Sequence, residues 1–327
     1  MTERAPAALG ARLAIARQFL AAAGLVLTGR NPARRMRSAV RRLALGQDQA
    51  GTVSAAADLR LQRLADLPAD RPVCLFMAYA ADGRLFPHTL RYCADLRAQG
   101  LFVLLVVATD RPDLRALDPG PEVVDGVLVR GNAGYDFAAW ADALRRLPAL
   151  WDAPELWFAN DSMYHSPRLL PEMVARVRAS AADLVALTAS EEVAPHVQSY
   201  FFALKAPPDR RQAARGFWDE VRALDDKLAV IRQYEIPHRA RMEAGGLTVE
   251  ALYATPAGPG NHLQGSWRSL LEQGFPFVKV ELLRDNPFQL DLAGWRGALA
   301  THGFVVDEIA FHLGARPDGA AALMETG

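Results

Sequence analysis

Between residues 73 and 190 the chain alternates short, almost wholly apolar runs with segments of mixed character. "RPVCLFMAYA", "GLFVLLVVATD", "VVDGVLVR", "ELWFAND" and "ADLVALTAS" each read as a strand. Strands apolar on both faces, separated by helices, predict a mainly parallel sheet covered on both sides. A helix is expected around His88 to Ala98, and in "GNAGYDFAAWADALRRL" the residues Phe137, Trp140, Leu144 and Leu147 recur at helical spacing. Beyond residue 190, "HVQSYFFALKA" reads as one further strand and "ARGFWDEVRALDDKLAVIRQYEIPHRARMEAGG" as helices around a break at "YEIP". "GLTVEALY" reads as a late strand, "TPAGPGNH" as a loop, and "GSWRSLLEQGFPFVKVELLRDNP" as a helix and a proline-rich turn. The expected fold class is α/β. Its parts are a helical extension over 1–70, an α/β half over 71–205, and a second half over 206–327 ending in helices.

The strand order puts Asp110, the Asn132–Asp136 segment and Asp161 just past the C-terminal ends of strands, the edge where open α/β sheets bind ligands. No Gly-x-Gly-x-x-Gly follows the first strand and no Gly-x-x-x-x-Gly-Lys occurs, which disfavours a dinucleotide fold and a P-loop.

Composition is that of an ordinary globular protein: 327 residues, 51% apolar, with 37 basic and 37 acidic side chains that cancel. Such a balance implies no nucleic-acid partner. Cys74 and Cys93 form no CxxC pair, so neither a disulfide framework nor a zinc site is expected, and a cytoplasmic setting fits. Near the N-terminus the longest uncharged stretch, Gln18 to Gly29, is far below the roughly 20 residues of a spanning helix. Residues 7–42, an apolar segment followed by an arginine-rich one, suit either peripheral contact with an anionic inner-membrane face or packing on the domain itself.

The segments "NAGYDFAAW" and "NDSMYHSP" resemble the rhamnan synthesis protein F family, bacterial glycosyltransferases of polysaccharide assembly. The likeness continues in order through "HVQSYFFAL", "KLAVIRQYEI" and "FPFVKVELLRDNP", covering approximately residues 73 to 290. At the first strand, where members often carry a histidine, this chain has "FMAYAADG". The resemblance implies a GT-A-like fold and an inverting transfer from a nucleotide-diphosphate sugar, plausibly dTDP-L-rhamnose, to a lipid-linked glycan. Asp161 is then the candidate ligand for Mg²⁺ or Mn²⁺, although Asn160-Asp161-Ser162 offers one carboxylate where this fold usually has two; otherwise Asp161 is a turn acid. Asp110, Asn132, Gly134, Tyr135, Asp136, Asn160 and Ser162 are candidates for donor binding. Asn132 to Asp136 would use a helix N-terminus, with Asp136 as N-cap the plainer alternative.

Glu235 is the expected general base, standing ahead of a helix that starts near Pro237, with Asp226 and Glu191 as substitutes. On a strand His196 and Ser199 would face opposite ways, which argues against a hydrolase triad, whereas His196, Gln198 and Tyr200 would share a face and touch donor or acceptor. Lys279 and Arg284 are candidates for a phosphate contact. Two rivals stand beside this reading. One is a non-catalytic glycan-binding or assembly protein that keeps the fold; the other is a nucleotidyltransferase, whose lysine-bearing phosphate loop the chain lacks.

Overall fold

The computed structural model describes residues 51–256, 262–315 and 319–324. The N-terminal segment expected to meet a membrane surface, and most of the "TPAGPGNH" loop, lie outside the described residues. Among the described residues no helix is long and apolar enough to cross a membrane.

The centre is an eight-stranded sheet built from β1 (Leu59–Leu64), β2 (Val73–Tyr79), β3 (Phe102–Thr109), β4 (Gly126–Gly131), β5 (Leu156–Asn160), β7 (Leu184–Ala186), β10 (Phe201–Leu204) and β11 (Val249–Ala251). Their spatial order is β1-β4-β3-β2-β5-β10-β7-β11. The four middle strands β4, β3, β2 and β5 run parallel, and β11 runs parallel to β7. β1 and β10 oppose their neighbours. The sheet is therefore mainly parallel, as the unbroken apolar runs require: every residue of β3 and β5 is buried. β1 departs from the expected helical start. Arg60, Gln62 and Arg63 mix with Leu59, Leu61 and Leu64, and the pairing with β4 shifts register between Leu61 and Arg63, a bulge of the kind found at antiparallel edges.

Helices cover both faces. On one lie α1 (Pro87–Ala98) and α3 (Leu170–Ala179), burying Tyr92, Leu96, Met173 and Val177 against Phe76, Leu105 and Trp157. On the other, α2 (Tyr135–Arg146) inserts Phe137 and Trp140, and the Trp140 indole N–H donates to the Leu75 carbonyl at 3.1 Å. α4 (Gln212–Glu220) adds Phe217 and Trp218 to that layer.

The expected break at "YEIP" is absent. α5 (Lys227–Val230), a π-helical turn (Ile231–Glu235) and α6 (Ile236–Ala244) form one continuous run. The wider turn falls immediately before Pro237, whose missing N–H and ring would break an α-helical ladder. The run begins instead at Asp226, whose carboxylate accepts from the Leu228 and Ala229 amides at 3.3 and 2.8 Å.

The chain's second half is not a separate layer. β11 extends the sheet beside β7, and β12 (Phe277–Lys279) pairs with β6 (Met163–His165) just past β5. α7 (Trp267–Glu272), α8 (Val280–Asp285), α9 (Trp295–Thr301) and α10 (Val306–Gly314) pack a third apolar cluster around Trp267, Leu283 and Trp295. The strand expected over "HVQSYFFALKA" is two pieces: β9 (His196–Val197), which pairs with β8 (Ala189–Ser190), then a turn, then β10.

Candidate functional site

At the C-terminal ends of β4, β3, β2 and β5, four residues form a hydrogen-bonded row in the order of the strands. The Asn132 side-chain amide donates to Asp110 Oδ1 at 2.9 Å, and the Tyr79 hydroxyl donates to Asp110 Oδ2 at 2.5 Å. The Tyr79 backbone N–H donates to Asp161 Oδ2 at 2.8 Å. Parallel pairing in register makes the row: β2 stands between β3 and β5, so its last residue can reach both neighbouring strand ends. The hydrogen bond from Tyr79, then that from Asn132, hold the Asp110 carboxyl below its ordinary value. Burial, reinforced by the nearby Asp136, pushes Asp161 up to about 6.

A second set of bonds runs behind Asp161. Asn160 donates to Asp136 Oδ2 at 2.9 Å and accepts from the Ser162 hydroxyl at 2.6 Å. Asn160 is thus a buried bracket between its neighbours. Asp136 is not the N-cap. Gly134 holds that position with φ +73°, and the Asp136 carboxyl lies in the first turn, raised by burial and by the charge of Glu235. A carboxyl there works against the anion site expected at this helix end. Gly134 is required by space as well as by φ, because a Cβ would sit 2.5 Å from Ala223 Cα. Tyr135, at φ +57°, is a strained non-glycine residue with an exposed ring.

Glu235 does not precede a free helix N-terminus, since it closes the π turn inside the continuous run. Its carboxylate accepts from the Ser199 hydroxyl, and His196 Nε2 lies 3.8 Å from its other oxygen. The turn between β9 and β10 lets both residues reach it, which a single strand would have prevented. His196 therefore parts from Gln198 and Tyr200, which both bond the Thr188 hydroxyl, at 2.8 and 2.7 Å, and are buried. The three do not share an open face.

Beside Asp161 opens a cleft of about 490 Å³. Asp161 and Ser162 line it together with Tyr79 from the end of β2, Arg84 from the following loop, Lys227 from the start of α5, and Lys279, Glu281 and Arg284 from β12 and α8. One end is aromatic: the His88 and His312 rings stack at 4.4 Å, and Phe86 lies 4.4 Å from His312. An ion pair of Arg91 with Glu308 at 2.5 Å ties α10 across to α1. Tyr79, Arg84, Lys227, His88 and His312 escaped the sequence reading. Only the departure of the first strand, "FMAYAADG", from the family's pattern pointed toward any of them.

The expected divalent ion meets a poor donor set. Asn160-Asp161-Ser162 offers a single carboxylate, and the Asn160 side-chain oxygen is turned to the hydroxyl and the N–H of Ser162. Among the described residues no three His, Cys, Asp or Glu side chains converge as ligands. The arrangement is suited to hydrogen-bonding sugar hydroxyls through Asp161 and to pairing an anion with the surrounding cations.

An uncharacterized protein, y4gN, of Sinorhizobium fredii is 30% identical over 135 residues, which span 39% of this chain and 35% of that protein. The chain thus aligns with only about a third of that relative's length. Virulence protein VirA of Vibrio anguillarum is 24% identical over 255 residues, or 66% of this chain and 81% of VirA. The family described as rhamnan synthesis protein F matches residues 110–290, from the acid after β3 to the turn after α8. That match takes in more than half of the chain and most of the strand-end row, and the chain belongs to the rhamnan synthesis protein F family.

Proposed function

We propose that the protein is a glycosyltransferase of polysaccharide assembly. It would move a sugar, L-rhamnose, from a nucleoside-diphosphate donor to a hydroxyl of a lipid-linked glycan. The observation that carries this is the row Asn132–Asp110–Tyr79–Asp161 at the C-terminal edge of a mainly parallel sheet, where open α/β sheets bind ligands, with Tyr79 and Asp161 lining a cleft that also holds four cations. A GT-A-like classification is part of the proposal and draws support from that sheet and its family.

In the proposed reaction the acceptor oxygen attacks the sugar's anomeric carbon as the bond to the diphosphate breaks. The diphosphate leaves with the electron pair, the acceptor proton passes to a carboxylate, and the anomeric centre inverts. Glu235 is the carboxylate assigned to the proton, oriented by Ser199 and facing His196. Asp161 and Asp110 serve the donor as hydrogen-bond acceptors, with Asn132 and Tyr79 fixing Asp110. Asp136 and Asn160 position Asp161 from behind.

The test is release of nucleoside diphosphate from dTDP-L-rhamnose and other nucleotide sugars in the presence of lipid-linked glycan. Turnover dependent on both substrates supports the proposal. Glycan binding with no turnover of any donor would favour the non-catalytic rival, whose best support is the single carboxylate at Asp161.

A further inference from the structure

We propose that the cleft holds the donor's diphosphate through side-chain cations, Arg84, Lys227, Lys279 and Arg284, without a divalent metal ion. This rests on the donor-binding reading above and concerns how the same site neutralises its ligand.

Separate elements deliver the cations to one cleft. Arg84 follows Gly83, whose φ of +78° and close approach to the Arg115 carbonyl fix a tight turn after β2. The Arg84 backbone N–H is anchored by Asp82 at 3.0 Å. Lys227 is the first residue of α5, seated by the Asp226 cap. Lys279 and Arg284 come from the far side of the chain. β12 pairs antiparallel with β6 so that Lys279 stands opposite Met163, and the Val280 N–H donates to the Ser162 carbonyl at 2.9 Å. That ribbon seats β12 and α8 against the residue following Asp161.

The carboxylates on the same walls are Asp82, Asp161 and Glu281, and each already accepts a hydrogen bond. Asp82 takes the Arg84 N–H, Asp161 the Tyr79 N–H, and Glu281 the Gln264 side-chain amide at 2.8 Å. A divalent cation entering here would meet three separately anchored acids that do not converge as ligands, and four like charges, of which Arg284 also pairs with Asp285 at 2.8 Å. An entering diphosphate meets the reverse field. Arginine and lysine donors match phosphate oxygens directly, and charge-assisted bonds of this kind can stabilise a departing diphosphate as it gains charge.

The experiment is calorimetric titration of the full chain with dTDP, UDP and GDP, first after exhaustive chelation and then with Mg²⁺ or Mn²⁺ restored. It is repeated at rising salt and on Lys279→Gln, Arg284→Gln and Asp161→Asn, each checked for folding by circular dichroism. The expected result is binding of at least one nucleotide in chelator, with affinity within about twofold of that in metal. Lys279→Gln and Arg284→Gln should each weaken it by about 10- to 100-fold, the range for a lost charged hydrogen bond. The wild-type affinity should also fall steadily with salt, which keeps the test valid if a variant fails to fold. Binding that requires the metal and disappears in Asp161→Asn overturns this inference while leaving the donor site intact. Binding of no nucleotide under any condition overturns both this inference and the proposed function.

Discussion

Tyr79 serves Asp161 and Asp110 with different atoms: its backbone N–H donates to Asp161 Oδ2 at 2.8 Å, and its hydroxyl donates to Asp110 Oδ2 at 2.5 Å. One residue at the end of β2 thereby sets the distance between two acids on flanking strands. Tyr79→Phe removes only the Asp110 bond, because the backbone N–H remains. Donor affinity should fall about 3- to 10-fold, in keeping with one lost hydrogen bond, with little change in melting temperature. Calorimetry with the wild-type nucleotide ligand measures it, and an unchanged affinity would detach Asp110 from the donor.

Asp161 links function to stability. Burial raises its folded value to about 6, above the roughly 3.9 of an unfolded chain. Well below pH 4 both states are protonated and the residue has no effect; as pH rises from about 4 to about 6 only the unfolded state ionises and the fold loses stability, the loss being complete above about 6. Asp161→Asn, whose amide oxygen can still accept from Tyr79, should therefore melt higher than wild type at pH 7.5 and equally at about pH 3. A lower melting temperature at pH 7.5 would contradict this.

Three histidines give the opposite pH slope. Burial lowers His88 and His238 to about 3 and His312 to about 4, so each is neutral in the fold and titrates near 6.5 when unfolded. Their contribution is complete above pH 6.5 and is lost as pH falls toward those folded values. His238 sits among Phe137, Phe202, Phe217 and Trp218. His238→Phe should flatten the decline in denaturant midpoint between pH 7.5 and pH 5, and an unchanged slope would count against a neutral His238.

Gly134→Ala meets both a left-handed φ and a wall, Ala223 Cα at 2.5 Å. Backbone strain and overpacking together should cost about 2 to 5 kcal/mol. Urea unfolding measures the loss, and a change below about 1 kcal/mol would mean that the 221–226 loop gives way easily.

Glu235→Gln should lower turnover about 10²- to 10⁴-fold while leaving donor affinity unchanged, the pattern of a lost general base. Ser199→Ala, which removes only an orienting hydroxyl, should cost less. Near-normal turnover in Glu235→Gln would move the proton-accepting role to another acid.

What the sequence made legible follows from how local the determining physics is. β2, β3 and β5 announce themselves because burial on both faces demands apolar residues, and β3, β5 and the largely buried β4 bring Asp110, Asp161 and Asn132 to one edge. β1 was missed because an edge strand mixes leucine with arginine and glutamine. Pro237 misled in a different way: a π turn absorbs the proline, so the helix continues and Glu235 is held by Ser199 rather than by a helix terminus. Tyr79, Arg84, Lys227 and the His88–His312 stack meet only through tertiary packing of segments far apart in the chain, and no local pattern marks them.

The central claim, that this edge holds a nucleotide sugar for transfer, is tested most directly by nucleoside-diphosphate release from dTDP-L-rhamnose with lipid-linked glycan, comparing wild type with Asp161→Ala. The account predicts acceptor-dependent release by the wild type and a loss of at least about 10²-fold in a folded variant. Equal release by the two proteins would contradict it.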